Sequence, residues 1–210
     1  MRNYLFLVFF AFSVSSSHAQ VVGEFFATEN YMNHEVWWSK PFADSSRFSF
    51  FSFNRFRINF ENSANSQFLN YSTVNYTLGK NLGISGGGFL TQYGFAPLIA
   101  LNYFYLSEKC LIGLFPGIQV QDSPNADLFA FIQFRPKVND KIGVFIQLIA
   151  SSNFNFKRHN VSEQSLRIGL DYRSFQFGYG LDLGQYTYSE GVNTSTEWID
   201  AHGLFIRKEF

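Results

Sequence analysis

The sequence predicts an all-β protein, a transmembrane antiparallel up-and-down β-barrel of about twelve strands. Two patterns predict it: side chains alternate between apolar and polar along short segments, and tight turns alternate with longer polar loops. A third observation is the shortage of charge. Charged residues make up 15% of the chain, against ~25% in typical soluble domains. A wall that faces lipid on one side accounts for all three.

The first residues have the pattern of a secretory signal peptide. Arg2 is basic, residues 4–14 form an apolar run, and Ser17-His18-Ala19 is a small-residue boundary. We expect cleavage after Ala19, which would make residues 1–19 the signal peptide and residues 20–210 one barrel domain. The run is too short for a spanning helix. The boundary has no Cys, the residue that would carry a lipid anchor, so we do not expect a lipid-modified N-terminus.

The alternation is clearest in the segment 175–183. Its apolar set is Phe175, Phe177, Tyr179, Leu181 and Leu183, and its other set is Gln176, Gly178, Gly180 and Asp182. A period of two defines a strand with two different faces. Across the predicted strands, the second face consists mostly of Gly, Gln, Ser and Asn. Such a face suits a polar lumen better than bulk water. The alternative is a soluble lipocalin-like barrel or sandwich, in which the apolar face would point inward.

Turn lengths set the strand count. Tight turns are predicted near 79–81, 107–109, 139–141 and 172–174, and longer loops near 61–67, 122–127, 157–164 and 189–197. Membrane barrels alternate short turns on one side with longer loops on the other. With 40–46 as a further tight turn, 21–27 becomes the first ascending strand and 33–38 the next descending one. Closing the sheet gives twelve strands, or ten if residues 20–44 form a plug or a helix.

The C-terminal strand, 198–210, ends in Phe210, and Leu204 and Ile206 share its face. This ending resembles the C-terminal β-signal of bacterial outer-membrane β-barrel proteins, although Lys208 stands where that pattern usually has an apolar residue. The resemblance implies export to the outer membrane of a Gram-negative bacterium, with outer-membrane lipids around the wall. It also implies that the barrel assembly machinery recognises Leu204, Ile206 and Phe210.

The polar face supplies candidates for the lumen. We expect the lumen to be lined by Arg135, Gln147, Arg167, Asp171 and Asp182, together with Arg55 and Arg57. Such residues either select small polar solutes or fill the interior as an ion-pair network. Since twelve strands leave a narrow lumen, the sequence predicts a narrow channel for small polar solutes or a structural barrel. Because Gly180 is expected to face this lumen, we expect Gly180→Ser to have almost no effect on stability.

The alternative function is an outer-membrane hydrolase acting on lipid or peptide near the outer loops. Asp200 and His202 are weak catalytic candidates because a spacing of two places them on one face. The pair resembles part of the site of outer-membrane proteases, but no Asp-x-Asp pair accompanies it. If Ile206 faces lipid, then His202 does so as well.

Two further histidines lie beside residues that could take part in the same chemistry. His159, Ser162 and Glu163 combine a base, a nucleophile and an acid in one outer segment, without the His-x-Ser spacing of outer-membrane lipid deacylases. His34 and Glu35 are adjacent, and adjacent residues on a strand point to opposite faces. We therefore do not expect this second pair to act together.

Other functions find no support in the sequence. The chain has 16 basic and 16 acidic residues, so its net charge does not favour nucleic acid. It has no metal-ligand cluster, no phosphate-binding loop and no cofactor motif. The single cysteine, Cys110, has no partner for an internal disulfide.

Overall fold

The computed structural model describes residues 20–121, 123–190 and 193–210. The signal peptide expected at residues 1–19 lies outside the described residues. In the described part of the chain, no helix has the length and hydropathy needed to cross a bilayer. The strands are β1 Gln20–Thr28, β2 Tyr31–Pro41, β3 Phe48–Asn59, β4 Gln67–Thr77, β5 Leu82–Thr91, β6 Gly94–Leu106, β7 Cys110–Gln119, β8 Asn125–Phe134, β9 Ile142–Phe154, β10 His159–Tyr172, β11 Phe175–Glu190 and β12 Asn193–Glu209.

These strands form one closed antiparallel barrel in which each strand pairs with its neighbours in sequence. The ring closes between β1 and β12, with Phe25 opposite Ile206. The prediction of about twelve strands is confirmed. The ten-strand alternative is wrong, because the segment 20–41 forms β1 and β2 of the wall instead of a plug or a helix. Closure satisfies the backbone hydrogen bonds of both terminal strands, as a membrane requires.

The two ends of the barrel differ. Gln20 and Phe210 lie at one end, where the Phe210 amide donates to the Val21 carbonyl at 3.0 Å. This end, which we call the inner end, also carries the connections 42–47, 78–81, 107–109, 135–141 and 173–174. The opposite, outer end carries the described connections 29–30, 60–66, 92–93, 120–121, 123–124 and 155–158. The outer turn before Gly94 is a tight hairpin, and Gly94 takes a φ of 118° that L side chains rarely adopt.

The apolar faces of the strands point outward. Ile168 is 49% exposed on the exterior, whereas its neighbour Arg167 is 1% exposed inside the barrel. Aromatic pairs border this surface at both ends, with Trp38 and Phe50 4.6 Å apart near the inner end, and with Phe56 and Phe68 5.0 Å apart near the outer end. An apolar band bordered by aromatic side chains is typical of a barrel in lipid. The soluble alternative, with its apolar face inside, does not fit this wall.

The interior is packed with side chains. A large apolar cluster occupies it, with Phe53 and Tyr71 completely buried, and a smaller cluster surrounds Phe26 and Phe145. Polar and charged side chains are buried beside these clusters. Polar side chains therefore lie either in this interior or on the outward-facing wall.

Candidate functional site

An aromatic plug crosses the lumen. It consists of Trp37, Phe51, Tyr71, Phe115, Phe129 and Phe131, which come from β2, β3, β4, β7 and β8. Strands β2 and β8 lie opposite each other in the ring, yet the rings of Trp37 and Phe131 have centroids 4.9 Å apart. The rings of Phe51 and Phe115 are 5.6 Å apart. Side chains from opposing walls are thus in contact at this level of the barrel.

A group of arginines fills the outer half of the lumen. We call it the arginine network; it comprises Arg55, Arg57 and Arg167 with the acids Glu24, Glu35, Glu163 and Asp182. Arg55 donates from Nε to Glu35 at 2.6 Å and from NH1 to Glu163 at 3.2 Å. Its remaining nitrogen reaches Ser165 on the far wall at 3.0 Å. The arginine therefore bridges β2, β3 and β10.

Arg167 forms the centre of this network. It donates from Nε to Glu24 and from NH1 to Asp182, both at 2.8 Å. Its guanidinium also lies 3.8 Å from the centroid of the Phe26 ring, a cation–π contact. Asp182 accepts further hydrogen bonds from Tyr31 at 3.1 Å and Asn33 at 2.8 Å. One guanidinium thereby connects β1, β10 and β11, and through Asp182 also β2.

A second network lies nearer the inner end. Arg135 donates to Asp171 at 2.9 Å and to Glu209 at 2.7 Å. Arg207 is 1% exposed and donates to Gln133 at 3.0 Å and also to Gln147. These contacts join β8, β9, β10 and β12. The arginines of both networks are held in ion pairs with fixed partners, as buried charges must be.

The seven residues expected to line the lumen all project inward. Four of them, Arg55, Arg57, Arg167 and Asp182, belong to the arginine network, and Arg135, Gln147 and Asp171 belong to the second network. Sequence reasoning did not single out Arg207 or Glu24. The strand pattern does indicate that Arg207 faces inward. It lies one residue after Ile206 and three after Leu204, which face outward, and residues an odd number of positions apart on a strand point to opposite faces.

Little space remains among these side chains. A cavity of about 10 Å³ lies near the outer mouth, lined by Tyr31, Arg57, Glu163 and Tyr186 among others. That volume holds on the order of one water. Tyr186 donates to Glu163 across this space.

The exterior wall also carries polar groups. Asp200 and His202 lie outside the barrel, with 3.8 Å between Asp200 Oδ2 and His202 Nε2, and their side chains are 77% and 58% exposed. The Tyr179 hydroxyl bonds to His202 Nδ1. The acids of the arginine network lie inside the barrel, on the other side of the sheet from Asp200. The described residues therefore do not form the second acidic pair of a protease-type site around Asp200.

His159 and Ser162 come together on the exterior. His159 Nε2 is 2.7 Å from Ser162 Oγ, and Ser162 donates to Ser152 Oγ at 2.8 Å. Glu163 does not join them, because it points into the lumen and pairs with Arg55. The structure thus brings the base and the nucleophile of the expected trio together and separates the acid from them.

The pair His34 and Glu35 is split across the wall, as strand alternation predicts. His34 stacks on Phe25 outside with ring centroids 4.5 Å apart, while Glu35 binds Arg55 inside. A groove of about 630 Å³ on this exterior surface is lined by Phe25, Met32, His34, Phe56 and Phe68 among others. Arg57, Ser66, Gln67 and Gln92 also line this groove. Among the described residues, no group of three or more His, Cys, Asp or Glu is arranged to hold a metal ion.

A closed antiparallel barrel with an apolar exterior, aromatic borders and an ion-paired interior is the architecture of bacterial outer-membrane β-barrels. Solved structures similar to this chain belong to that class. A NanC porin covers 92% of this chain and 100% of its own, with 11% identity and a TM-score of 0.46. A KdgM porin in complex with disordered oligogalacturonate covers 91% and 99%, with 10% identity and a TM-score of 0.44.

LpxR from Salmonella typhimurium is also similar, covering 92% of this chain and 100% of its own, with 8% identity and a TM-score of 0.39. No family model matches the chain, and no curated protein matches it. At such low identities the likeness concerns the fold alone. Function must therefore be argued from the residues of this chain.

Proposed function

We propose that this chain is an integral outer-membrane barrel of a Gram-negative bacterium whose lumen is closed by side chains, so that it acts as a membrane-embedded structural scaffold and not as a standing channel. The contact between Trp37 and Phe131 carries the proposal, since these residues come from opposite strands of the ring and lie 4.9 Å apart. A channel for small polar solutes needs a continuous wet path, and the aromatic plug interrupts it.

The charged part of the interior supports the same function. In a conducting pore, charged rings face water and passing ions. Here Arg167 binds Glu24, three strands away in the ring, at 2.8 Å, and Arg55 on β3 binds Glu163 on β10 at 3.2 Å. Because these two pairs connect strands that are not neighbours, they hold the barrel in a closed form. Their physical effect is to reinforce the scaffold.

The membrane setting is part of this proposal. We place the barrel among outer-membrane lipids after export by the signal peptide at residues 1–19, with assembly directed by Leu204, Ile206 and Phe210. These three side chains are 70%, 53% and 73% exposed on the exterior. That position leaves them accessible to the barrel assembly machinery before lipid covers them.

Ion conductance of the purified barrel in a planar bilayer tests the closed lumen. We expect no steady conductance from the wild-type protein. The double variant Phe51→Ala with Phe129→Ala, which removes two rings of the plug, should show conductance if it retains a heat-modifiable band on gels. The exterior variant Phe154→Ala is the matched control and should stay closed. A steady current through the wild-type protein would overturn the proposal.

A further inference from the structure

We infer that Ser162 and His159 form a catalytic dyad that cleaves an acyl ester of an outer-leaflet lipid on the exterior wall of the barrel. His159 Nε2 lies 2.7 Å from Ser162 Oγ, which is the separation at which a base activates a serine nucleophile. The inference goes beyond the scaffold function but rests on its membrane setting, because the substrate is a lipid beside the wall.

A β-bulge brings the two side chains together. Residues three apart on a regular strand point to opposite faces. In β10, however, His159 pairs with Phe154 and Val161 pairs with the next residue, Asn153, so that Asn160 is an extra residue in the ladder. The bulge moves His159 onto the exterior face that carries Ser162. Bulges that redirect a side chain in this way are common beside active sites.

The dyad lies at the outer edge of the apolar band. Along the exterior face of β10, Leu170, Ile168 and Leu166 are followed towards the outer end by Gln164 and then Ser162. The next strands continue the row of Ser162 through Gln185 to Trp198, and Trp198 is 73% exposed. Since tryptophan concentrates at the membrane–water interface, Ser162 lies at the depth where lipid esters meet water.

The immediate surroundings suit a serine nucleophile. Ser162 is half-buried, and its hydroxyl bonds to Ser152 Oγ at 2.8 Å. A hydroxyl hydrogen rotates about its C–O bond, so Ser162 can also donate to His159 Nε2. His159 Nδ1 is buried and has no hydrogen-bond partner among the described residues. The pair is therefore a dyad without an orienting acid, and we expect slow turnover.

The reaction follows from these two groups. Ser162 Oγ attacks the ester carbonyl carbon while its proton passes to His159 Nε2. The bond from that carbon to the alcohol oxygen then breaks, and His159 returns the proton to the leaving alcohol. Water attacks the acyl-serine, again giving a proton to His159, which restores Ser162 as the carboxylic acid leaves. The net change is ester plus water to acid plus alcohol.

Two assays with the full barrel in vesicles test the dyad. In the first, a fluorophosphonate probe should label Ser162, as identified by mass spectrometry of the digested protein. In the second, vesicles containing phosphatidylethanolamine or lipopolysaccharide should release free fatty acid. The lipid that is hydrolysed identifies the source of the ester.

We expect Ser162→Ala to lose both signals and His159→Ala to slow fatty-acid release by about 100-fold or more, the usual contribution of a general base. Tyr172→Phe, on the same exterior face of β10 but at its inner end, should retain full activity. All variants must show heat-modifiable mobility. An unlabelled Ser162 in a folded barrel overturns the dyad, and labelling without hydrolysis of either lipid overturns the lipid substrate. Conductance tests the closed lumen separately, so the two proposals fail independently.

Discussion

Replacing Arg167 by methionine tests whether the lumen is dry. Arg167 is 1% exposed, and its guanidinium binds Glu24 and Asp182, which are themselves 2% and 4% exposed. Methionine keeps much of the side-chain volume and its contact with Phe26. The change therefore removes the cation from two buried carboxylates and leaves the packing nearly intact.

The magnitude follows from what each carboxylate retains. Asp182 still has Tyr31, Asn33 and, at 3.8 Å, Arg57. Glu24 loses the arginine that forms its ion pair, and its other oxygen has no hydrogen-bond partner among the described residues. Removing one partner of a buried pair usually costs about 3–5 kcal/mol. Because Asp182 is partly compensated, we expect a loss near the lower limit, about 3 kcal/mol.

Urea unfolding in vesicles, followed by tryptophan fluorescence, measures this loss. The double variant Arg167→Met with Glu24→Gln should recover more than half of it, because it also removes the uncompensated charge. Arg47→Met, which changes an exposed arginine in an inner turn, should stay within about 0.5 kcal/mol of wild type. A loss below about 1 kcal/mol for Arg167→Met would mean that water reaches these carboxylates. The reasoning for a closed lumen would then be refuted.

Three further predictions concern the wall. Ile168→Arg in the middle of the lipid-facing band should cost about 2–4 kcal/mol, and Tyr172→Arg on the same face near the inner end about 0–1 kcal/mol, as measured by refolding into vesicles; equal costs would contradict the assigned depth. Gly180→Ser should lower stability in the same assay, since a Cβ there would lie 2.6 Å from the Phe26 ring, whereas unchanged unfolding would indicate a loose interior. Deleting Phe210 should reduce insertion into the outer membrane in cells more than it reduces total synthesis, and normal insertion would show that the terminal strand carries no assembly signal.

The contrast at Gly180 shows the limit of the pattern. Alternation predicts that Gly180 faces the lumen, and it does. The expectation of a silent serine assumed free space inside, and the structure contradicts that assumption because Phe26 and Arg167 occupy the space. Phe26 lies on β1 and Arg167 on β10. Strand period indicates the direction of a side chain but says nothing about which side chains from other strands meet it.

The same distinction holds for the dyad. The spacing of His159 and Ser162 counts against cooperation on a regular strand, and the bulge that reverses this arises from how β9 pairs with β10. Pairing register depends on both strands and on the loop between them. The local sequence of β10 therefore does not determine it.

The sequence by itself determined the class of barrel. A side-chain period of two assigned the faces of the strands, turn lengths limited the strand count to twelve or ten, and the shortage of charge indicated that lipid covers the wall. Each of these is a local property, readable within one hairpin. That side chains from opposite walls meet inside the barrel was decided only by the tertiary structure. Trp37 and Phe131 come from strands on opposite sides of the ring, and 4.9 Å between their rings depends on the closure and cross-section of the whole barrel.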